Sequence, residues 1–136
     1  MSFKIERLGS SARGESMKGL TSHVLDTSKG CPARGVRIQL WKMPFKDSDF
    51  GTMLSQQFTN EEGRCLIIDS LVAGEYELRF DVGSYFKKNA EERSFLNIVP
   101  VRFYIEDPDL HYHIPLVVSP WAYSTYKGGA PKGGVK

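Results

Sequence analysis

Glu75-Tyr-Glu-Leu-Arg-Phe-Asp-Val82 alternates charged and apolar side chains without a slip. A period of two belongs to a strand with one face on a core. Tyr76, Leu78, Phe80 and Val82 are therefore predicted to face inward and the charged residues outward. Gly83-Ser84 comes next, and Tyr85 to Arg93 reads as the chain's helix, with Ser84 as its N-cap. Upstream, Cys65-Leu-Ile-Ile68 is extended after the turn Asn60-Glu-Glu-Gly63. Val36-Arg-Ile-Gln-Leu-Trp41 alternates again, Gly19 to Asp26 holds a first strand, and Phe45 to Asn60 spans a loop plus a strand. Downstream, Val101 to Ile105 and Tyr112 to Val118 are strands on either side of an Asp107-Pro-Asp109 turn. About seven or eight short strands with one helix make the fold all-β, a sandwich.

The chain has 136 residues, 40% hydrophobic and 25% charged, which suits one soluble globular domain. A net charge of +2 is too small to point to nucleic acid or an acidic membrane surface. No apolar run approaches the roughly 18 residues of a membrane helix. Met1 to Arg7 lacks the apolar stretch of a secretory signal, and Gly-Gly-Val-Lys136 is not the Ser-Lys-Leu peroxisomal ending. The expected location is cytoplasmic, with the peroxisome as the alternative. Residues 1–17 read as a flexible leader, 18–129 as the domain and 130–136 as a Gly-rich, disordered tail. Cys31 and Cys65 are expected as free thiols, Cys65 as a packing residue.

The candidate chemistry lies in two strings that hold all three histidines. The first is His23-Val-Leu-Asp-Thr-Ser-Lys-Gly-Cys-Pro-Ala33. The second is His111-Tyr-His-Ile-Pro-Leu-Val-Val-Ser-Pro-Trp-Ala-Tyr-Ser-Thr-Tyr126. On a strand, His111, His113, Pro115 and Val117 share one face, and Tyr112, Ile114, Leu116 and Val118 form a core stripe on the other. The two imidazoles then stand about 7 Å apart. Taken alone, such histidines are as compatible with a solvated face or a backbone bond as with catalysis.

These strings resemble the two signatures of the transthyretin family, in its enzymatic branch, the 5-hydroxyisourate hydrolases. The match runs over roughly residues 18 to 126, and in the hormone carrier the histidine positions hold other residues. Gly63-Arg64 is similar to the branch's Gly-Arg, where the carrier has an acidic residue. The resemblance implies a sandwich of two four-stranded sheets with one short helix, assembled as a homotetramer, a dimer of dimers. It implies ring opening of 5-hydroxyisourate by water across an acyl C–N bond in urate breakdown, without cofactor or metal. His23 and His113 would activate water and move protons, since a neutral imidazole titrates near working pH. Arg64 would bind substrate carbonyls and stabilise developing charge. His23, Arg64, Tyr126 and Lys127 would contact the substrate.

The C-terminal signature departs from the branch. Its members end Tyr-Arg-Gly-Ser, whereas this chain reads Tyr126-Lys127-Gly128-Gly129 and continues for seven residues. Lysine keeps the charge but not the forked contact. Val118 and Ala122 replace the usual leucine and glycine. Two rivals stand beside the hydrolase: a transthyretin-like small-ligand carrier or inactive relative, and a zinc site held by the histidines.

Overall fold

Residues 18–44, 51–89 and 93–129 are described by the computed structural model of the chain. The expected leader and tail lie outside them. Ten strands and one helix follow in the order β1 (Gly19–Asp26), β2 (Cys31–Pro32), β3 (Arg37–Lys42), β4 (Thr52–Phe58), β5 (Arg64–Ile68), β6 (Gly74–Asp81), α1 (Val82–Asn89), β7 (Ile98–Ile105), β8 (His111–His113), β9 (Leu116–Val118) and β10 (Tyr123–Thr125) among the described residues.

They form two sheets. One is β4-β3-β6-β7, all antiparallel neighbours. The other has six segments but only four rows, because the long β1 meets different partners along its length. On one side β1 pairs antiparallel with β5 and then β2; on the other it pairs parallel with β8 and then β9, and β10 closes the edge. The sandwich of two four-row sheets is thus as the family resemblance implied. The row expected over Tyr112–Val118 is interrupted at Ile114-Pro115 because proline has no N–H for the ladder. Hydroxyls replace the missing ladder bonds: Ser22 Oγ donates to the Ile114 carbonyl at 2.7 Å and Thr125 Oγ1 to that of Pro115 at 2.6 Å.

The core lies between the sheets. Leu20 and Val24 of β1, Ile38 and Leu40 of β3, Leu78 and Phe80 of β6, and Leu116 of β9 are fully buried. Tyr112, Ile114 and Val118 join them, so the predicted stripe is real. Burying each such side chain contributes about 1.5–3 kcal/mol. Below this core Asp26, at the end of β1, is also fully buried. Its Oδ1 accepts from the Ser28 and Lys29 amides, at 2.9 and 3.2 Å, and its Oδ2 from the Tyr85 hydroxyl at 2.8 Å. That last bond ties α1 to the six-segment sheet.

Two local expectations are corrected. The helix starts at Val82, not Tyr85, and Asp81 caps it rather than Ser84. Asp81 Oδ1 accepts from the Ser84 amide at 3.1 Å and Oδ2 from its hydroxyl at 2.9 Å. The Val82 and Gly83 amides bond the Asn97 carbonyl, so the first turn leaves no donor of these two unpaired. Residues 90–92, near the expected helix end, lie outside the described ones. The charged residues of β6 are not all outward in water either. Glu77 and Asp81 are 8% and 7% exposed, covered by Arg79, Arg102 and Arg37. Burial raises both carboxyl pKa values, but the arginine bonds, joined at Asp81 by the two from Ser84, outweigh it and hold them below the usual range.

Candidate active site

The outward face of β1 positions the chemistry. Leu20 and Val24 point into the core, which turns Thr21 and His23 the other way. Parallel pairing with β8 sets Thr21 opposite His113 and Gly19 opposite His111. Antiparallel pairing with β5 sets His23 opposite Arg64. A bulge in that pairing, between Leu20 and Thr21, brings Leu66 rather than Ile67 opposite Thr21. Three neighbouring strands therefore deliver three histidines, one threonine and one arginine to the same outer face.

Arg64 owes its place to the turn before it. Asn60 Oδ1 accepts from the Glu62 and Arg64 amides, both at 2.9 Å, an Asx-type closure. Gly63 sits at φ 76°, and a Cβ there would lie 2.5 Å from the Val24 carbonyl oxygen, so only glycine fits. The sequence reading of Gly63-Arg64 had no access to that packing.

A cavity of about 300 Å³ opens on this face, lined by Thr21, Ser22, Arg64, His111, His113 and Gly129 among others. The His111 and His113 ring centroids are 6.4 Å apart, close to the spacing expected from strand rise. Both rings bond one hydroxyl: Thr21 Oγ1 lies 2.8 Å from His111 Nε2 and 2.8 Å from His113 Nδ1. His23 turns its Nε2 to the Glu62 carbonyl at 2.9 Å. A carbonyl only accepts, so His23 carries its proton on Nε2 and leaves Nδ1 free when neutral.

All three imidazoles are pushed below their ordinary pKa of 6.5. For His23 the causes are burial and then the Arg64 charge, opposed by the Glu62 carbonyl and carboxylate. Burial alone lowers His111. Burial lowers His113, and the charges of His111, Arg64 and His23 add to it. The site keeps its bases unprotonated at neutral pH. Cys65, beside them, is 4% exposed, and burial pushes its thiol up to about 12. It is an inert packing residue there, and Cys31 is likewise a free thiol.

The structure brings Arg64 and His113 to one cavity and adds Thr21 and His111, which the sequence reading did not place in the site; His23 stands opposite Arg64 on the same face but does not line that cavity. Nor does the structure bring Tyr126 and Lys127 into the same cavity. Their side chains line a neighbouring pocket of about 200 Å³ with Val101, Phe103, Tyr104 and Tyr112. Lys127 Nζ stands 5.5 Å from the Tyr112 ring centroid. The backbone that follows them does reach the histidines. Gly128 bridges to His113, its amide donating to the His113 carbonyl at 2.7 Å. The zinc reading needs three ligands converging, and among the described residues no group of three histidine, cysteine or carboxylate side chains has that geometry.

Such a sandwich, with histidines and a guanidinium on the outer face of one sheet beside an open cavity, is that of a transthyretin-like protein. The sequence profile of the HIUase/Transthyretin family matches residues 20–128, and the chain belongs to that family. It is similar to the 5-hydroxyisourate hydrolase of Deinococcus radiodurans, 47% identical over 116 residues that cover 81% of this chain and 95% of that protein. Its structure resembles Klebsiella pneumoniae 5-hydroxyisourate hydrolase, with a TM-score of 0.71 and 32% identity over 83% of this chain and 100% of that one. Sparus aurata transthyretin gives a TM-score of 0.71 at 25% identity, covering 80% of this chain and 95% of its own.

Proposed function

We propose that this chain is an enzyme that hydrolyses 5-hydroxyisourate to 2-oxo-4-hydroxy-4-carboxy-5-ureidoimidazoline, a step of urate degradation. The observation that carries the reading is the convergence of His23, Arg64 and His113 on one face, in a family whose curated relatives bear that activity in their names.

One of the two catalytic imidazoles, His23 or His113, takes a proton from water, whose oxygen adds to the acyl carbon of the six-membered ring. Negative charge moves to the carbonyl oxygen, and Arg64 stabilises it with a fixed positive charge. When the C–N bond breaks, the ring nitrogen leaves as N–H with the proton returned by an imidazole, and the acyl carbon becomes a carboxylic acid, which releases its remaining proton to solvent. General-base help of this kind is worth about 10²–10⁴ in rate. A small-ligand carrier has no use for three depressed imidazoles around an arginine, which sets that rival behind the hydrolase.

The active unit we propose is a homotetramer, a dimer of dimers. β7 and β10 end their sheets, and residues of both line the second pocket, so two unpaired ladders adjoin on one side. Pairing copies there covers those backbone groups. Tyr126, 61% exposed, and Lys127 then serve the substrate through that assembly. Cytoplasmic location is part of the same proposal, with cell fractionation as its test. Among the described residues no helix is long and apolar enough to cross a membrane.

The test is ultraviolet absorbance of freshly generated 5-hydroxyisourate. Its decay accelerates with the purified protein, equally with and without a chelator. Decay at the spontaneous rate overturns the reading.

A further inference from the structure

Thr21 is 8% exposed and carries the only hydroxyl that bonds both His111 and His113 among the described residues. Its oxygen has one proton to give, so a bond donated to one ring leaves the other ring to donate to it. Two directions follow. With His113 Nδ1–H donating to Thr21 and Thr21 donating to His111 Nε2, the His113 ring, which lines the cavity, has an unprotonated Nε2, which is the form of a base. With His111 Nε2–H donating to Thr21 and Thr21 donating to His113 Nδ1, His113 carries its proton on Nε2, which is the form of an acid.

We infer that His111–Thr21–His113 is a proton relay, in which Thr21 sets the tautomer of His113 and His111 stores the proton that His113 collects. The inference rests on the hydrolase reading above and deepens it. His113 Nε2 accepts a proton from water, and its Nδ1 proton passes to Thr21 Oγ1 while the Thr21 proton passes to His111 Nε2. His111 now holds the charge, and His113 is neutral with Nε2–H. As the C–N bond breaks, Nε2–H goes to the leaving nitrogen and the two transfers reverse. His111 and Thr21 return to their first state, and the net change is one proton from water to nitrogen.

The surroundings suit a pair that holds one extra proton at a time. The charged and titratable groups facing His113 are His111 on its own strand, His23 on β1 and Arg64 on β5. All of them oppose a positive charge, and burial opposes it at both rings. The Cys65 thiol, held protonated, adds no charge. Spreading the proton over two imidazoles through a fixed hydroxyl lowers the cost of holding it at either. Gly128, bonded to the His113 carbonyl, fixes the strand from the opposite side.

Thr21 and His111 are positioning residues, so the experiment reads kcat against KM. Thr21→Val keeps the shape and removes the hydroxyl. It is expected to lower kcat on the order of 10–100-fold and to change KM much less, since part of general acid–base catalysis is lost. Thr21→Ser restores kcat to within a few-fold. His111→Gln can bond Thr21 but cannot carry the proton, and it lowers kcat to a similar degree. The double variant Thr21→Val, His111→Gln is no worse than Thr21→Val alone, because one unit is broken once. Parental kcat in Thr21→Val, failure of serine to rescue a folded protein, or additive losses in the double variant overturn the relay. In ligand-free protein, 15N spectra show the two imidazoles titrating as a coupled pair that Thr21→Val uncouples. That result stands or falls even if the parent protein leaves 5-hydroxyisourate intact, an outcome that would sink the function alone.

Discussion

Gly128 is pressed against His113: a Cβ placed on Gly128 would lie 2.9 Å from His113 Cδ2, while the Gly128 amide holds the His113 carbonyl at 2.7 Å. The segment after Tyr126 therefore acts on the site through backbone contact with a ring.

Gly128→Ala is expected to displace the His113 ring by a few tenths of an ångström, because that ring is already tied to Thr21. Displacements near 1 Å cost about 100-fold, so kcat should fall about tenfold with the melting temperature nearly unchanged. Parental kcat in this variant would show the ring swinging aside freely.

His23→Ala and His113→Ala should each lower kcat by about 100-fold or more, with unaltered circular dichroism. Arg64→Ala should raise KM and lower kcat together, since one group serves bound substrate and transition state. Near-normal turnover in both histidine variants would dismiss the site.

The pH dependence follows from the three lowered imidazole pKa values. A histidine depressed in the folded state binds protons more weakly there than in the unfolded chain. Its contribution is thus fully present above 6.5, the ordinary value, and is lost as pH falls through the folded pKa. Urea midpoints should be flat between about pH 7 and 8 and decline below 6.5. The acid limb of kcat/KM should likewise fall below 6.5, and Arg64→Gln should move it upward, because the arginine depresses both His23 and His113.

Tyr85→Phe removes the hydroxyl that caps the buried Asp26 carboxylate. Leaving one oxygen of a buried charge short of a donor costs about 1–3 kcal/mol. Chemical denaturation should register that loss while kcat, measured well below the melting point, stays within twofold. A matching loss of kcat would mean that α1 supports the site more directly.

Much of this was legible because period two is a strong signal in half-buried strands. Tyr76, Leu78 and Phe80 are buried as predicted, and His111 and His113 do share a face. Val82 fits the strand period and the first helical turn equally well, which hid the true start of α1. β2 and β10, of 2 and 3 residues, are too short to show any period. Thr21 was invisible for a different reason. A lone threonine carries no pattern, and its partners lie 90 and 92 positions away, brought in only by the parallel pairing of β1 with β8. Tyr126 and Lys127 stand next to Gly128 in sequence, yet the chain turns their side chains into the neighbouring pocket.

The division of β1, β5 and β8 into a core face and an outer face has a further consequence. The stripe of Leu20, Val24, Cys65, Ile67 and Tyr112 holds the sandwich, and Thr21, His23, Arg64, His111 and His113 sit back to back with it on the same strands. A mutation at the exposed Arg64 leaves the apolar stripe behind it untouched. Selection can rewrite the ligand chemistry of such a scaffold while leaving its stability nearly constant, so catalysts and carriers can descend from one architecture without passing through an unfolded ancestor.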